Sequence, residues 1–393
     1  MNDHPSELRE RLIALTRDLV LIPGTEERPE DLRRAMEWLG NHLEGITGLR
    51  VTHHESHGVP SLVAMPADCA KPDVLMCGHI DVVHHADPAV YRSTVSEGRI
   101  VGPGSGDMKG NVAILLELLR AVRERVPGAP LALAVTGDEE RGGEHGTRAL
   151  FDEFGLECSL AIVPDGGSID EIVVEEKGIL HVELRSTGVS CHSARPWLGR
   201  NALEQIVRSV DALRLAFPPG DDAGHWYGTC SLTRLDAPNR SFNRVPAHAR
   251  ATLDIRFPAP ATVEEMMERV RGSVAEGVDV ELVVGAEPSV LSPDPAFLRV
   301  CGETLGRPLV SLREHGGSDA RFIANRGIPV LMTRPECGRL HAPDEWIEID
   351  SMLVFYQIYE RYLLERFAGL DVFDGQGVTF DNLSLTRPPP RRC

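Results

Sequence analysis

Leu131-Ala132-Leu133-Ala134-Val135-Thr136-Gly137-Asp138-Glu139-Glu140 is the stretch on which the reading of the fold turns. Its first half is an apolar run of the right length for a buried strand. The run ends at a glycine and two adjacent carboxylates, followed by the glycine-rich Arg141-Gly142-Gly143-Glu144-His145-Gly146. Open α/β sheets place their sites at the carboxyl ends of their strands. Neighbouring residues point in different directions, so one carboxylate can bind a metal while the other faces substrate as a base. A solvated acidic loop also fits this stretch when it is read alone.

Two more apolar runs end in the same way. Val74-Leu75-Met76-Cys77 leads into Gly78-His79-Ile80-Asp81, and Leu160-Ala161-Ile162-Val163 leads into Pro164-Asp165. Extended geometry puts side chains two residues apart on one side, so His79 and Asp81 fall together. A metal-ligating histidine usually gives its other ring N–H to such a carboxylate; a surface turn is the alternative. Between these runs lies Gly102-Pro103-Gly104-Ser105-Gly106-Asp107-Met108-Lys109-Gly110. It is not a phosphate loop, because Lys109 is followed by glycine rather than Ser or Thr. It delivers Asp107 to a helix with the stripe Val112, Leu115, Leu116, Leu119 and Val122. Metal ligand and helix N-cap are both open readings of Asp107.

Outward from this core, two amphipathic helices lead the chain, over 7–22 and 29–45, with Leu8, Leu12, Leu15 and Leu19 inward on the first. From about 174 the pattern changes. A strand over 179–184, a helix over 201–215 with Leu203, Ile206, Val207, Val210 and Leu213 inward, strands over 230–235 and 249–257, a helix over 262–276 and a strand over 278–284 make β-α-β-β-α-β, the ferredoxin-like order. The α/β pattern then resumes, with the loop His315-Gly316-Gly317-Ser318-Asp319, the strand Pro329-Val330-Leu331-Met332, a loop carrying His341 and a helix over 350–366. The expected division is 1–173 and 287–368 for two parts of a catalytic domain, 174–286 for an inserted domain, and 369–393 for a C-terminal tail.

The chain has 393 residues, 41 Lys and Arg against 59 Asp and Glu, and a formal charge of −18. That length suits two domains. The acidic excess speaks against nucleic acid or an anionic membrane as partner, and no apolar run reaches a membrane span. The polar start shows no secretory signal, so a cytoplasmic location is expected. Eight cysteines scatter with no C-x-x-C, which predicts reduced thiols rather than a zinc ribbon or disulfide framework. No G-x-S-x-G occurs, which sets a serine hydrolase aside.

His79, Asp107, Glu140, Asp165 and His341 form a nitrogen and oxygen ligand set without sulfur. Such a set suits zinc, manganese or cobalt, and two ions rather than one. Glu139 and Asp81 bring the carboxylates to five, a charge that calls for cations or bound protons. With His192-Ser193-Ala194-Arg195-Pro196, Gly316-Gly317-Ser318-Asp319-Ala320 and His341-Ala342-Pro343-Asp344-Glu345 added, the chain resembles a family of metal-dependent amidohydrolases and exopeptidases over about 7–366. That family includes aminoacylase, acetylornithine deacetylase, succinyl-diaminopimelate desuccinylase and the glutamate carboxypeptidases.

The resemblance implies an α/β, mixed-sheet metallopeptidase catalytic domain with an inserted lid that also dimerises the chain. It implies two divalent ions, zinc first and cobalt or manganese as alternatives. His79 and Asp165 would hold one, Glu140 and His341 the other, and Asp107 would bridge. Glu139 would be the general base and Asp81 would orient His79. His192, Asn243, Arg256 and Gly316 would contact substrate, Arg256 suiting a free carboxylate unless it is an ordinary strand ion pair. A cis peptide is implied at Asp107–Met108. The implied reaction is hydrolysis of an amide or peptide bond in a small molecule or short peptide bearing a free carboxylate, by a dipeptidase or carboxypeptidase-like enzyme. An N-acyl-amino-acid deacylase and a non-catalytic metabolite-binding relative are the alternatives. The chain departs from the family at His84, where many relatives have proline. It departs again at Asp165, where the desuccinylase and deacetylase branch often has glutamate, a lean towards the peptidase branches.

Overall fold

In a computed structural model, residues 5–222 and 224–368 are described. The expected tail, 369–393, lies outside them. The chain forms two units: one of Met1–Ile172, Ser292–Ser311 and the chain from Ile328, the other of Val173–Leu291 with Leu312–Gly327.

The first unit is built on a six-stranded mixed sheet in the order Leu49–Ser56, Val59–Pro66, Leu131–Thr136, Val74–His79, Leu160–Ile162, Val330–Leu331. An antiparallel hairpin forms one edge, and the last four strands run parallel. Val74–His79 and Leu131–Thr136 are buried at every position, which is why both read as unbroken apolar runs. The helix Gly110–Arg125 buries Val112, Leu115, Leu116, Leu119 and Val122. The helix Ile349–Arg366 buries Phe355, Tyr359 and Tyr362, and Phe297 packs its ring against both tyrosines, at 4.8 and 5.3 Å. Each fully buried side chain of this kind stabilises the fold by about 1.5–3 kcal/mol.

A second, four-stranded sheet of this unit has no counterpart in the sequence reading. It runs Cys337–Gly338, Trp346–Glu348, Arg99–Val101, Thr94–Ser96. Two- and three-residue strands are too short to show a period of two. Their position matters: Arg99–Val101 feeds the glycine loop that delivers Asp107, and the hairpin of Cys337–Gly338 with Trp346–Glu348 carries His341 at its turn.

The second unit holds a four-stranded antiparallel sheet in the order Thr229–Asp236, His248–Phe257, Gly178–Thr187, Val278–Ala286. The helices Ala202–Ala216 and Val263–Ser273 cover it, burying Ile206, Val210, Leu213, Met266, Met267 and Val270 against Leu180, Val182, Leu184, Leu253 and Ile255. Both helices start on side-chain caps: Asn201 accepts the amides of Leu203 and Glu204, and Thr262 forms a capping box with Glu265. Val207 was expected inward but is exposed, because the sheet-facing stripe passes through Ile206 and Val210 on either side of it.

Candidate metal centre

Three parallel strands of the first unit end at the site. His79 is the last residue of Val74–His79, in register with Thr136, whose carbonyl accepts the Ile80 amide at 3.0 Å. Leu131–Thr136 runs on into a single 3₁₀ turn, Glu139–Arg141. Leu160–Ile162 runs on to Asp165. Two groups of side chains converge there: His79, Glu139 and Asp165, and Asp107, Glu140 and His341. Within each group the ligand atoms lie within 4.8 Å of one another.

Asp107 joins the groups. Its Oδ1 lies 3.5 Å from His79 Nε2 and its Oδ2 lies 2.8 Å from His341 Nε2. Glu140 Oε2 stands 3.4 Å from the same His341 nitrogen, and Glu139 Oε2 stands 3.8 Å from His79 Nε2. The N-cap reading of Asp107 fails, because the helix begins at Gly110 behind Lys109 and receives no side-chain cap. The Asp107–Met108 peptide is not cis; among the described residues the cis bond is Ala259–Pro260. Met108 instead turns the chain at φ 79, in the left-handed region. That conformation costs about 1–3 kcal/mol but avoids the roughly 2.5–4 kcal/mol of a non-proline cis bond. Gly106 is forced by space, since a Cβ there would stand 2.6 Å from the Cys337 Cβ and 3.0 Å from the Trp346 carbonyl.

Two buried acids stand behind the ligands. Asp81, 3 % exposed, accepts the amides of Glu139 (3.2 Å) and Glu140 (3.0 Å) on its two oxygens, and its Oδ1 lies 3.4 Å from His79 Nδ1. Glu345, 2 % exposed, accepts the amides of Gly106 (2.8 Å) and Asp107 (2.7 Å) on Oε1 and the amide of His341 (3.3 Å) on Oε2. Glu345 closes the stretch His341-Ala342-Pro343-Asp344-Glu345, and the sequence assigns it no role. Its only signal was its place four residues after His341. The buried ammonium of Lys109 donates to the Ile22 carbonyl at 2.7 Å.

The electrostatics follow from this crowding. Burial and the Asp107 charge push the Glu140 carboxyl up to about 7. The hydrogen bond to Asp107 outweighs burial and pushes His341 up to about 9. Burial would raise Asp107, but the two histidines hold it below the usual carboxylate range. Burial works against the charge on His79, yet the carboxylates of Asp107 and Asp81 facing its two ring nitrogens keep its pKa well above the ordinary histidine value. Burial lowers Lys109 to about 8 against the pull of Asp81 and Glu345. Carboxylates so placed attract cations. His79 Nε2 and Glu140 Oε1 are buried and make no hydrogen bond. Buried polar atoms of this kind normally have a partner, and an N/O donor set pointing inward fits divalent metal ions.

The remaining candidate residues belong to the second unit. His192 and Asn243 sit on adjoining segments: His192 bridges to Arg244, and the Ser193 amide donates to the Asn243 carbonyl at 2.9 Å. Arg256 makes a two-point ion pair with Asp254, at 2.7 and 3.2 Å, so the strand-pair geometry is the one present. Gly316 is exposed, with open space where a Cβ would stand. The seven described cysteines are free thiols. No described helix is long and apolar enough to cross a membrane.

A sequence profile of peptidase family M20/M25/M40 matches residues 75–365. A succinyl-diaminopimelate desuccinylase of Paracoccus denitrificans is 30 % identical over 350 residues, covering 82 % of this chain and 91 % of that protein. One from Methylobacterium nodulans is 32 % identical over 389 residues, covering 91 % and 96 %. A solved structure of an aminopeptidase from Bacillus cereus superposes with a TM-score of 0.71 over 90 % of this chain and 98 % of that one, at 21 % identity, a likeness of fold.

Proposed function

Given that the chain belongs to peptidase family M20/M25/M40 and is a hydrolase of amide or peptide bonds, we propose that it is a two-metal enzyme acting on a small substrate with a free carboxylate. The observation that carries this reading is Asp107, whose two oxygens face His79 and His341 separately. His79 and Asp165 would hold one ion, Glu140 and His341 the other, and Asp107 would bridge. Zinc is the ion proposed first, with cobalt or manganese as alternatives. Divalent ions in such a site supply Lewis acidity, which makes water a nucleophile near neutral pH and draws electron density from a carbonyl.

The chain's own residues do the rest. Glu139 Oε2 takes the proton from the attacking water and delivers it to the leaving nitrogen. Asp81 keeps Glu139 and Glu140 apart in direction by holding both amides, and fixes the ring of His79. His192 is proposed to donate to the developing oxyanion, with Asn243 beside it. The Gly316 backbone is proposed to approach the substrate carboxylate. Arg256 serves that carboxylate only by exchanging its partner Asp254.

Among substrates we favour N-acyl amino acids, because the chain is 30–32 % identical to enzymes named for removing succinyl from diaminopimelate. A dipeptidase or carboxypeptidase is the second reading, favoured by aspartate at position 165. The charge of −18 supports a small-molecule partner over nucleic acid, and free thiols support the cytoplasm. We also propose a homodimer through the second unit, whose outer strand Thr229–Asp236 has one side unpaired within its sheet.

The test is hydrolysis of N-acyl amino acids and dipeptides by metal-loaded protein, with Glu139→Gln beside wild type. Expected is turnover of one panel, lowered in the variant by about 10²–10⁴-fold at unchanged metal content. Equal rates in wild type and variant would remove Glu139 as the base.

A further inference from the structure

The two arms of the metal centre reach it by irregular backbone. Asp107 lies in a turn, Ser105–Lys109, whose residues Asp107 (φ −90, ψ 76) and Met108 (φ 79) depart from helical geometry. His341 sits at φ 63 in the turn of a hairpin made of two- and three-residue strands. Neither arm is held by a long ladder of backbone hydrogen bonds. A left-handed non-glycine residue costs about 1–3 kcal/mol and persists only where its surroundings over-determine it. Amides that the local fold leaves without a carbonyl must find another acceptor.

Both arms find the same one. Glu345 Oε1 takes the amides of Gly106 and Asp107, and Oε2 takes the amide of His341. Glu345 also directly precedes the strand Trp346–Glu348, and its own carbonyl accepts the Gly102 amide at 2.8 Å. The side chain is buried, so its position is fixed by packing as well as by these bonds.

We propose that Glu345 is a positioning residue that sets the separation of Asp107 and His341, and through it the affinity of the centre for its second metal ion. It touches neither substrate nor metal. A carboxylate suits the task because it offers lone pairs on two oxygens to three donors. An amide offers one oxygen, and its NH₂ would face an N–H. Glutamine therefore keeps the shape and satisfies one arm only. Aspartate keeps the charge but is one methylene short, and also reaches only one arm. The inference rests on the two-metal reading given above.

The test is titration of metal-free wild type, Glu345→Gln and Glu345→Asp with Zn²⁺ or Mn²⁺ alone, by calorimetry, alongside circular dichroism of the metal-free proteins. Wild type is expected to bind two ions. Both variants are expected to keep the wild-type dichroism and one tight site, with the weaker site loosened by about 10–100-fold. Two ions at wild-type affinity in either variant would overturn the proposal. So would metal-free variants that are unfolded, since Glu345 would then serve the fold and not the centre. A wild type that binds fewer than two ions would instead sink the two-metal reading itself.

Discussion

Replacing Asp81 by asparagine alters one atom's chemistry at the place where three of the site's residues meet. The carboxylate accepts the Glu139 amide on Oδ1 and the Glu140 amide on Oδ2, with His79 Nδ1 3.4 Å from Oδ1. Asparagine has one acceptor oxygen. Whichever way it turns, its NH₂ faces one of the two amides, and that N–H loses its partner in a buried place. Leaving a buried donor unsatisfied costs about 1–3 kcal/mol. Loss of the negative charge beside the histidine ring adds roughly 1 kcal/mol, the difference between a charged and a neutral acceptor. A site that relaxes out of alignment to escape about 2–4 kcal/mol must return to it for catalysis at the same cost, which at about 1.4 kcal/mol per tenfold change is a 30- to 1000-fold loss in kcat/KM. On the proposed roles the fall belongs in kcat, because the proposed base and ligands are misplaced while the residues proposed to contact substrate are untouched. The assay is steady-state kinetics on the better of the two substrate panels, with metal content measured on the same samples. An Asp81→Asn enzyme within threefold of wild-type kcat, with metal bound, would refute the reasoning.

Other outcomes follow from the same geometry. In metal-free protein two groups hold their protons more tightly folded than unfolded: Glu140 is pushed up to about 7 from 4.5, and His341 up to about 9 from 6.5. Both contributions are present below the unfolded values and are lost as pH rises through the folded ones. The urea midpoint of chelated protein should therefore fall from pH 5 to pH 9, and added divalent ions should restore it most at the alkaline end; a midpoint that rises with pH after chelation counts against this. Arg366 clasps Asp73 at 2.6 and 2.9 Å and reaches Asp294 at 3.1 Å, all half-buried. Arg366→Ala should lower the unfolding free energy by about 1–2 kcal/mol without changing kcat, read by denaturant titration. Phe297→Ala should lower it by about 3–5 kcal/mol, since that buried ring has two tyrosines as neighbours that cannot close the gap.

Part of the candidate site is legible because its residues stand where a strong local pattern stops. His79, Glu139-Glu140 and Asp165 end runs that are apolar on both faces, and such runs occur only in the middle of a covered sheet. His341 and Asp107 have no such punctuation; the first came from resemblance alone and the second was divided between ligand and cap. What favours the ligand reading of Asp107 is tertiary: beyond the turn at Met108 its oxygens face both histidines. Glu345 was illegible as a function because its work is done on backbone amides of residues more than 200 positions away, and nothing in local sequence encodes that. The strands around His341 were illegible because two or three residues carry no periodicity. Leu312–Gly327 shows the same limit at the level of units: its strand-and-helix pattern is indistinguishable from that of its neighbours, yet it folds with the second unit. Arg256 is the converse case. A residue two places from Asp254 on a strand must share its face, so the ion pair was foreseeable, whereas a ligand's call on that arginine was not.

Asp81 and Glu345 solve one problem in the same way. A ligand at the end of a strand lies where the ladder stops, so its amide has lost the carbonyl that the next strand would have supplied. The acceptors themselves are buried, and a buried polar group left unpaired is expensive. A carboxylate is the strongest acceptor for such amides, but each one added raises the negative charge of a site already rich in it. Burial and the Asp107 charge accordingly raise the Glu345 carboxyl against the pull of its amides. The arrangement is therefore self-consistent only when positive charge enters the centre. The Lys109 ammonium, lowered by burial to about 8, feels Asp81 and Glu345, and His79 Nε2 and Glu140 Oε1, buried without a hydrogen bond, are the atoms left for the proposed divalent ions. On the two-metal reading, the scaffold that aims the proposed ligands also makes the centre favour metal, and binding and positioning should weaken together when either buried acid is neutralised.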